Sequence, residues 1–351
     1  MIKTGILGGE TMAAGELIRI LINHPDVDLR SVASETEAGR RVDRVHRGLI
    51  GDLDLIFEDK LNPEGLDVVI LCGEPWMARR WMQTNDKACA DENLRIIDLT
   101  GAYRDLLGVG EGSAPMVYGF PEYNRKALVR GARCTSLPSP MAMAVEAALF
   151  PLAKNMLLEG DVKARVMIAA TENFENRPAS QMTDTEPMAV AELSTRLDPI
   201  APMENRPDGE ATATEVKNVM KEIQPSWNGN VQLTVSRDSK WPRGILAEVE
   251  VPCCTSLSEL RRLYDEAYCD HSFTFSVDLK PTVLDVANTN KCLMSLAYPD
   301  SAHSLESMPV LKITVAIDNL MKGAAGNAVH CLNLLFGLQE CTGLALKASA
   351  F

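Results

Sequence analysis

The chain has 351 residues, a length that fits two domains of ordinary size, and its net charge of −13 at pH 7 argues against nucleic acid or an anionic membrane as a partner. No apolar run approaches the ~20 residues that span a bilayer, and the first residues do not form a secretory signal. Nine cysteines without the paired spacing of metal ligands are typical of the reducing cytoplasm, so we expect a cytoplasmic protein with no metal site.

The first third of the chain alternates apolar strands with helices. The pattern predicts a helix over 14–23 and strands over 2–7, 27–32, 67–72 and 94–99. Because strands that alternate with helical stretches form parallel sheets, we predict an α/β domain with a doubly wound sheet.

After Cys134 the pattern changes to longer strands. We predict helices over 141–156, 214–223 and 257–268, and strands over 162–170, 231–235, 245–251, 291–297 and 310–317. This order is typical of an α+β domain. Five prolines within 173–208 predict a long surface loop, and a last helix begins at about Ala324.

Several segments of the chain are similar to one known family. The clearest is 318–336, which holds the end of a strand, a Lys-Gly-Ala-Ala-Gly turn and the start of the last helix. The others follow in order along nearly the whole chain: 1–9, 14–25, 118–125, 242–246, 288–293 and 346–351. Together they resemble the N-acetyl-gamma-glutamyl-phosphate reductases, the NADP-dependent semialdehyde dehydrogenases of arginine biosynthesis.

The resemblance implies a division of the chain into three parts. These are a Rossmann-type dinucleotide-binding domain over 1–140, a semialdehyde-dehydrogenase-type α+β domain for catalysis and dimerisation over 141–320, and a C-terminal helix over 321–351 that returns to the Rossmann domain. It also implies a homo-oligomer, a dimer or a tetramer, that takes a small-molecule ligand.

The family reaction depends on a nucleophilic cysteine at the start of a helix. Its thiolate attacks an acyl phosphate, phosphate leaves, NADPH reduces the thioester, and the semialdehyde is released. Counting back from Pro151 in the family register places Pro140 at this position. Proline has neither a nucleophilic atom nor an N–H group, so the attacking group and one oxyanion donor are both missing.

Two nearby residues are candidate replacements for the cysteine. Ser139 is the only hydroxyl in a comparable place, but it needs an adjacent base, and an oxygen ester lacks the activation that a thioester gives. Cys134 lies in a predicted strand, and we interpret it as a packed core thiol.

The family's catalytic histidines are also missing. Their two positions fall on Glu210 and Thr212, and the chain has no histidine between His46 and His271. Glu210 or Glu215 could serve as a base instead, but Glu215 is more simply interpreted as an acid in the first turn of the helix that begins at about residue 214. His330, in the last helix, is interpreted as a packed or surface residue.

The glycine-bearing turn after the first strand is the candidate cofactor site. Gly8 and Gly9 suit a turn that presents pyrophosphate to a helix N-terminus, and Ser34 follows the second strand. By resemblance, Gly323 and Asn327 of the C-terminal segment also line the cofactor, which is NADP in the family.

Two residues of this turn oppose phosphate. Thr11 stands where the family has a second phosphate-loop glycine, and Glu10 brings a carboxylate beside it. Glu35 and Glu37 oppose a 2′-phosphate, whereas Arg40 and Arg41 favour one, so NAD and NADP stay open. We therefore expect weak or absent dinucleotide binding.

Two further loops differ from the family pattern. At 73–77, Pro75 and Trp76 replace small residues, and at 170–177 two carboxylates replace glycines. Added negative charge does not suit an acidic acyl phosphate. Arg177 and Arg243 are the candidate substrate contacts.

The sequence thus predicts the reductase fold without its chemistry, as in a catalytically impaired paralogue. Two alternatives stay open. One is a non-catalytic binding or regulatory partner of an active family member. The other is an enzyme with different chemistry, which predicts a polar cluster around Ser139.

Overall fold

The computed structural model describes residues 1–104, 116–171, 207–238, 240–299 and 308–348. These residues form two compact units. Of the described residues, the first unit comprises 1–138 and 324–346, and the second comprises those of 139–171 and 207–323 together with 347–348.

The first unit is built on a parallel sheet of six described strands. Its sheet order is β2-β1-β3-β4-β6-β5, and every described pairing is parallel. The strands are β1 (Ile2–Leu7), β2 (Val27–Ala33), β3 (Val68–Leu71), β4 (Arg95–Asp98), β5 (Met116–Tyr118) and β6 (Cys134–Ser136). The helices are α1 (Met12–Leu21), α2 (Val42–Val45), α3 (Pro75–Thr84), α4 (Asp86–Cys89) and α5 (Pro121–Val129).

The order of these strands reverses between β1 and β3. The chain runs outward from β1 to β2, then returns to the other side of β1 to form β3. Ligands of open α/β sheets bind outside the carboxyl ends of the strands at such a switch point. Leu7 and Leu71 end β1 and β3 there, so the following turns are the place to look for a ligand.

The second unit is a mixed sheet covered by helices. Its sheet order is β10-β11-β12-β9-β7-β8. The strands are β7 (Val162–Ile168), β8 (Val231–Arg237), β9 (Ile245–Pro252), β10 (Thr274–Ser276), β11 (Cys292–Ala297) and β12 (Val310–Ile317). The helices are α6 (Pro140–Lys154), α7 (Pro207–Ile223), α8 (Leu257–Tyr268) and α9 (Val283–Val286).

Helix α6 is the centre of the second unit. Every residue from Pro140 to Ala153 is buried, and the helix packs against β9, β12 and α7. Pro151 cannot donate to the carbonyl of Ala147, four residues before it. The hydroxyl of Tyr268 donates to that carbonyl at 2.5 Å instead, and Tyr264 donates to Ala148 O at the same distance. The two tyrosines of α8 therefore support the part of α6 that proline weakens.

A π-helical turn over Met321–Ala325 leads into the last described helix, α10 (Gly326–Leu335). Helix α10 packs against α1 and α5 of the first unit. His24 Nε2 lies 3.0 Å from Asn333 Oδ1, which adds a buried polar contact between α10 and the segment after α1.

The predicted fold class is confirmed, and most element boundaries fall within two residues. The short elements α2, α4, α9, β5 and β10 were not predicted, and three longer segments also differ from the sequence-based expectation. Helix α7 begins at Pro207, seven residues before the predicted start at 214, and the rest of the predicted loop lies outside the described residues. The 73–77 segment is largely the first turn of α3, which Pro75 opens at a position where its missing N–H costs nothing. Helix α5 was not predicted; Pro121 opens it in the same way.

Candidate functional site

The turn after β1 has the backbone shape of a phosphate-binding turn. Gly8 adopts φ +71°, and a Cβ at this position would collide with the carbonyl of Cys72 at the end of β3. Only glycine allows this conformation and this approach together. The predicted site residues Gly8, Gly9 and Thr11 lie together here, and the Ser34 side chain is close enough to Glu10 to lower the pKa of that carboxyl.

Thr11 is the N-cap of α1. Its hydroxyl donates to Gly8 O at 3.1 Å and accepts the Ala14 N–H at 3.2 Å. Free N–H groups in the first turn of a helix are the donors that hold a phosphate. Since Thr11 already occupies one of them, the turn keeps its fold but offers fewer donors to a ligand.

Glu10 is turned into the protein. Its side chain is 4% exposed, and Oε2 has no hydrogen-bond partner among the described residues. Burial raises the pKa of Glu10, and the nearby Glu37 carboxylate raises it further, although hydrogen bonds from its own backbone and from Ser34 act against this. Glu10 is therefore easier to protonate than an exposed glutamate, and its side chain points away from the solvent side of the turn.

His46 is a residue of this turn that the sequence analysis missed. Its Nε2 lies 2.7 Å from Gly9 O, and a Cβ on Gly15 would collide with its ring. Burial lowers the pKa of His46, so the neutral ring donates from Nε2 to Gly9 O and fixes the turn. The glycine at position 15, in the first turn of a helix, was the available sequence signal.

A pocket of about 330 Å³ lies beside this turn, within the first unit. Its apolar walls are Leu7, Leu61, Met77 and Trp81, and the Trp81 ring is fixed by donation from Nε1 to Leu61 O at 2.9 Å. Its other lining residues carry polar or charged groups: Glu35, Asp59, Lys60, Asn62, Arg80, Thr84 and Asn85. An apolar slot with a few polar groups at its margin, at the switch point of a parallel sheet, suits the adenosine part of a dinucleotide.

In the second unit, Pro140 is the first residue of α6 and is buried. A Cβ on Gly323 would come within 2.7 Å of Pro140 Cβ, so the backbone at Gly323 lies directly on the proline ring. The candidate nucleophile position is thus filled by a packed ring that has no reactive atom.

Ser139 is the N-cap of α6, and a carboxylate holds it. Its hydroxyl donates to Glu215 Oε2 at 2.7 Å and its N–H donates to Oε1 at 3.0 Å, while Oγ accepts the Ala142 N–H at 3.3 Å. The expectation that Glu215 is a first-turn acid of α7 was wrong, because that helix begins at Pro207. The Glu215 side chain reaches across to the start of α6 instead.

Within the second unit, the group hydrogen-bonded to Ser139 that could act as a base is this carboxylate. Thr212 is buried and Glu210 is exposed on α7. Among the described histidines, His330 lies in the first unit with Nε2 3.0 Å from Glu340. Cys134 is buried in β6, and burial raises the pKa of its thiol, as expected for a core residue.

The other candidate substrate and cofactor contacts have structural roles or lie outside the described residues. Arg243 is ion-paired with the fully buried Asp318 at 2.8 Å and donates to Asn288 Oδ1 at 2.7 Å, so its guanidinium holds the second unit together. Arg177 lies outside the described residues. Gly323 contacts Pro140, and Asn327 donates to Gly119 O at 2.8 Å within the first unit.

Metal-binding clusters and membrane-spanning helices are both absent from the described residues. No group of three or more His, Cys, Asp or Glu side chains in that part of the chain could hold a metal ion. No described helix is long and apolar enough to cross a bilayer.

Comparison with known proteins decides the family. The chain is 36% identical to the N-acetyl-gamma-glutamyl-phosphate reductase of Parabacteroides distasonis and 35% identical to that of Phocaeicola vulgatus, over the whole length of each protein. It belongs to the N-acetyl-gamma-glutamyl-phosphate reductase family. Residues 3–130 also match the model of the semialdehyde dehydrogenase NAD-binding domain, which covers the turn and the pocket described above.

Solved structures show the same fold at low identity. Aspartate semialdehyde dehydrogenase II from Vibrio cholerae matches with a TM-score of 0.67 at 15% identity, covering 96% of this chain and 99% of that one. The Candida albicans aspartate semialdehyde dehydrogenase, solved with NADP, matches with a TM-score of 0.67 at 15% identity, covering 96% and 98%. The reductase family member described here therefore has the two-domain semialdehyde dehydrogenase fold.

Proposed function

We propose that this protein is a non-reducing member of the reductase family, which keeps the ligand-binding fold without the covalent chemistry. The observation that carries the proposal is the start of α6, where buried Pro140 stands at the nucleophile position and Ser139 is engaged as a helix cap. A thioester cannot form on proline, and without it there is no activated acyl group for a hydride to reduce.

The dinucleotide is a binding partner in this proposal. The adenosine end would bind in the apolar pocket of the first unit, and the pyrophosphate would lie against the turn that Gly8 forms. Thr11 limits affinity because it occupies the Ala14 N–H. We expect titration calorimetry to give dissociation constants for NADH and NADPH no tighter than about 0.1 mM, which is ~5.5 kcal/mol.

The test is the reverse family reaction, the phosphate-dependent oxidation of N-acetylglutamate semialdehyde. The P. distasonis relative provides a matched positive control in the same assay. We expect a rate several orders of magnitude below the ~10 s⁻¹ of an ordinary enzyme, since both the nucleophile and its base are absent. A turnover number within about tenfold of that value, from protein whose melting curve shows a folded sample, would overturn the proposal.

A second candidate function rests on the 2.7 Å hydrogen bond between Ser139 and Glu215. A serine that donates to a carboxylate can attack an acyl phosphate, with its proton passing to Glu215 and phosphate leaving. The geometry favours this less, because Oγ also accepts the Ala142 N–H and so uses a lone pair in the helix cap. Intact mass after incubation with acetyl phosphate tests it: one added acetyl group, absent in Ser139→Ala, supports acyl transfer.

A cytoplasmic homo-oligomer, a dimer or a tetramer, completes the proposal. The nine cysteines are all free, which suits a reducing compartment. In such an oligomer the protein could act as a non-catalytic regulatory partner of an active family member. Co-purification of the two chains after co-expression tests this role.

A further inference from the structure

An ion pair between Glu35 and Arg80 lies at the edge of the pocket in the first unit. Glu35 follows β2 by two residues and Arg80 lies on the facing side of α3. The Arg80 guanidinium also lies over the Trp76 ring, 5.0 Å from its centroid, which fixes its position further. The residue at the end of the second strand of such a sheet is the one that meets the ribose 2′ position of a dinucleotide.

The groups that would receive a 2′-phosphate are already engaged. Arg40 is ion-paired with Glu37, and Arg41 with Asp43 and Asp54. The Ser34 oxygen accepts the Glu37 N–H at 3.1 Å and lies 3.3 Å from Thr36 Oγ1. A 2′-phosphate would therefore have to compete with these carboxylates for the charges of Arg40 and Arg41.

The charges lining the pocket also balance. Glu35 and Asp59 are acids, and Lys60 and Arg80 are bases, so the four cancel. A 2′-phosphate adds negative charge to this neutral margin and meets the Glu35 carboxylate first. A 2′-hydroxyl, in contrast, donates a hydrogen bond to a carboxylate, and that bond is stronger than one between neutral groups.

We propose that the pocket selects NAD(H) over NADP(H), because Glu35 both accepts from a ribose 2′-hydroxyl and neutralises Arg80. This reverses the NADP preference that the family resemblance implies. The inference rests on the dinucleotide binding of the proposed function and not on the absence of reductase chemistry, so a selectivity measured by binding fails or succeeds independently of the turnover assay.

The experiment compares ligands that differ in the 2′ substituent. Titration calorimetry of the full chain with NADH and NADPH, and with 5′-AMP and 2′,5′-ADP as smaller probes, gives the selectivity without any turnover. We expect the 2′-hydroxyl member of each pair to bind about tenfold tighter, the effect of one charge-assisted hydrogen bond.

Variants identify the cause of the selectivity. Glu35→Gln removes one charge at nearly constant shape and releases Arg80, so NADPH affinity should rise about tenfold while NADH affinity falls by a few-fold at most. Glu35→Gln combined with Arg80→Met should lose the gain for NADPH. Glu92→Gln, the same charge change at an exposed site between α4 and β4, should leave both affinities as in the wild type.

Three results would overturn the proposal. The first is NADPH bound as tightly as NADH, or tighter, by the wild type. The second is an unchanged ratio in Glu35→Gln, since the charge of Glu35 would then not set the preference. The third is no binding of either cofactor or probe up to its solubility limit, with melting curves that show each protein folded.

Discussion

The turn after β1 and the start of α6 make the same local structure, a capped helix N-terminus that follows a strand, but differ in what they keep. The turn retains Gly8, its positive φ angle and an adjacent pocket, so a ligand-binding shape survives around Thr11. The start of α6 retains only the helix: Ser139 caps it and Pro140 opens it. Fold and chemistry therefore depend on different residues. A helix start needs a cap and an apolar face, whereas a nucleophile needs one particular atom.

The strongest way to break this comparison is to restore the lost atoms. Pro140→Cys combined with Thr212→His returns a thiol and an imidazole to the family positions. We expect turnover to remain at least about 10³-fold below an ordinary ~10 s⁻¹, because the thiol would lie under Gly323 and the altered loops would misplace both ligands. The semialdehyde oxidation assay measures it, with each single variant as a control. Full activity would show that the two positions alone decide function.

The second prediction concerns the hydrogen bonds from Tyr264 and Tyr268 of α8 that stabilise α6, the helix that begins at the former nucleophile position. Tyr268→Phe leaves Ala147 O without its donor, because Pro151 cannot replace it, and we expect a loss of about 1–3 kcal/mol in the free energy of unfolding. Tyr264→Phe is the matched control: Leu152 follows Ala148 by four residues and supplies a helical N–H to its carbonyl. Urea denaturation compares the two. An equal or larger loss in Tyr264→Phe would contradict the role given to Pro151.

Glu10 tests the retained turn through its pH dependence. The pKa of Glu10 is raised in the folded protein above its value of 4.5 in the unfolded chain. Well below pH 4.5 the carboxyl is protonated in both states and does not change the free energy of unfolding. As pH rises above 4.5 the unfolded chain ionises more readily, so Glu10 lowers the free energy of unfolding. Glu10→Gln should therefore raise the free energy of unfolding near pH 7.5 by about 1.4 kcal/mol for each unit of pKa shift, and should be neutral near pH 4. A gain that is the same at both pH values would rule out titration of Glu10 as its cause.

Much of this comparison could be predicted from the sequence, because local patterns decide it. The β1 turn follows from an apolar strand, two glycines and a helix, and Pro140 suits the first turn of an apolar helix wherever that helix packs. The contacts of Glu215 could not be predicted, since they join residues 76 positions apart and depend on α7 starting at Pro207. The Glu35–Arg80 pair likewise joins two elements that only the folded sheet brings together.

The most direct test of the central claim is a single-turnover experiment with protein in excess over N-acetylglutamate semialdehyde, with saturating phosphate and either NAD⁺ or NADP⁺. Absorbance of the reduced cofactor reports the hydride transfer itself, so slow product release cannot hide the chemistry. The loss of the nucleophile at Pro140 predicts no reduced cofactor beyond the rate of a protein-free control. Formation of one equivalent of NADH or NADPH per semialdehyde within the assay time would contradict it.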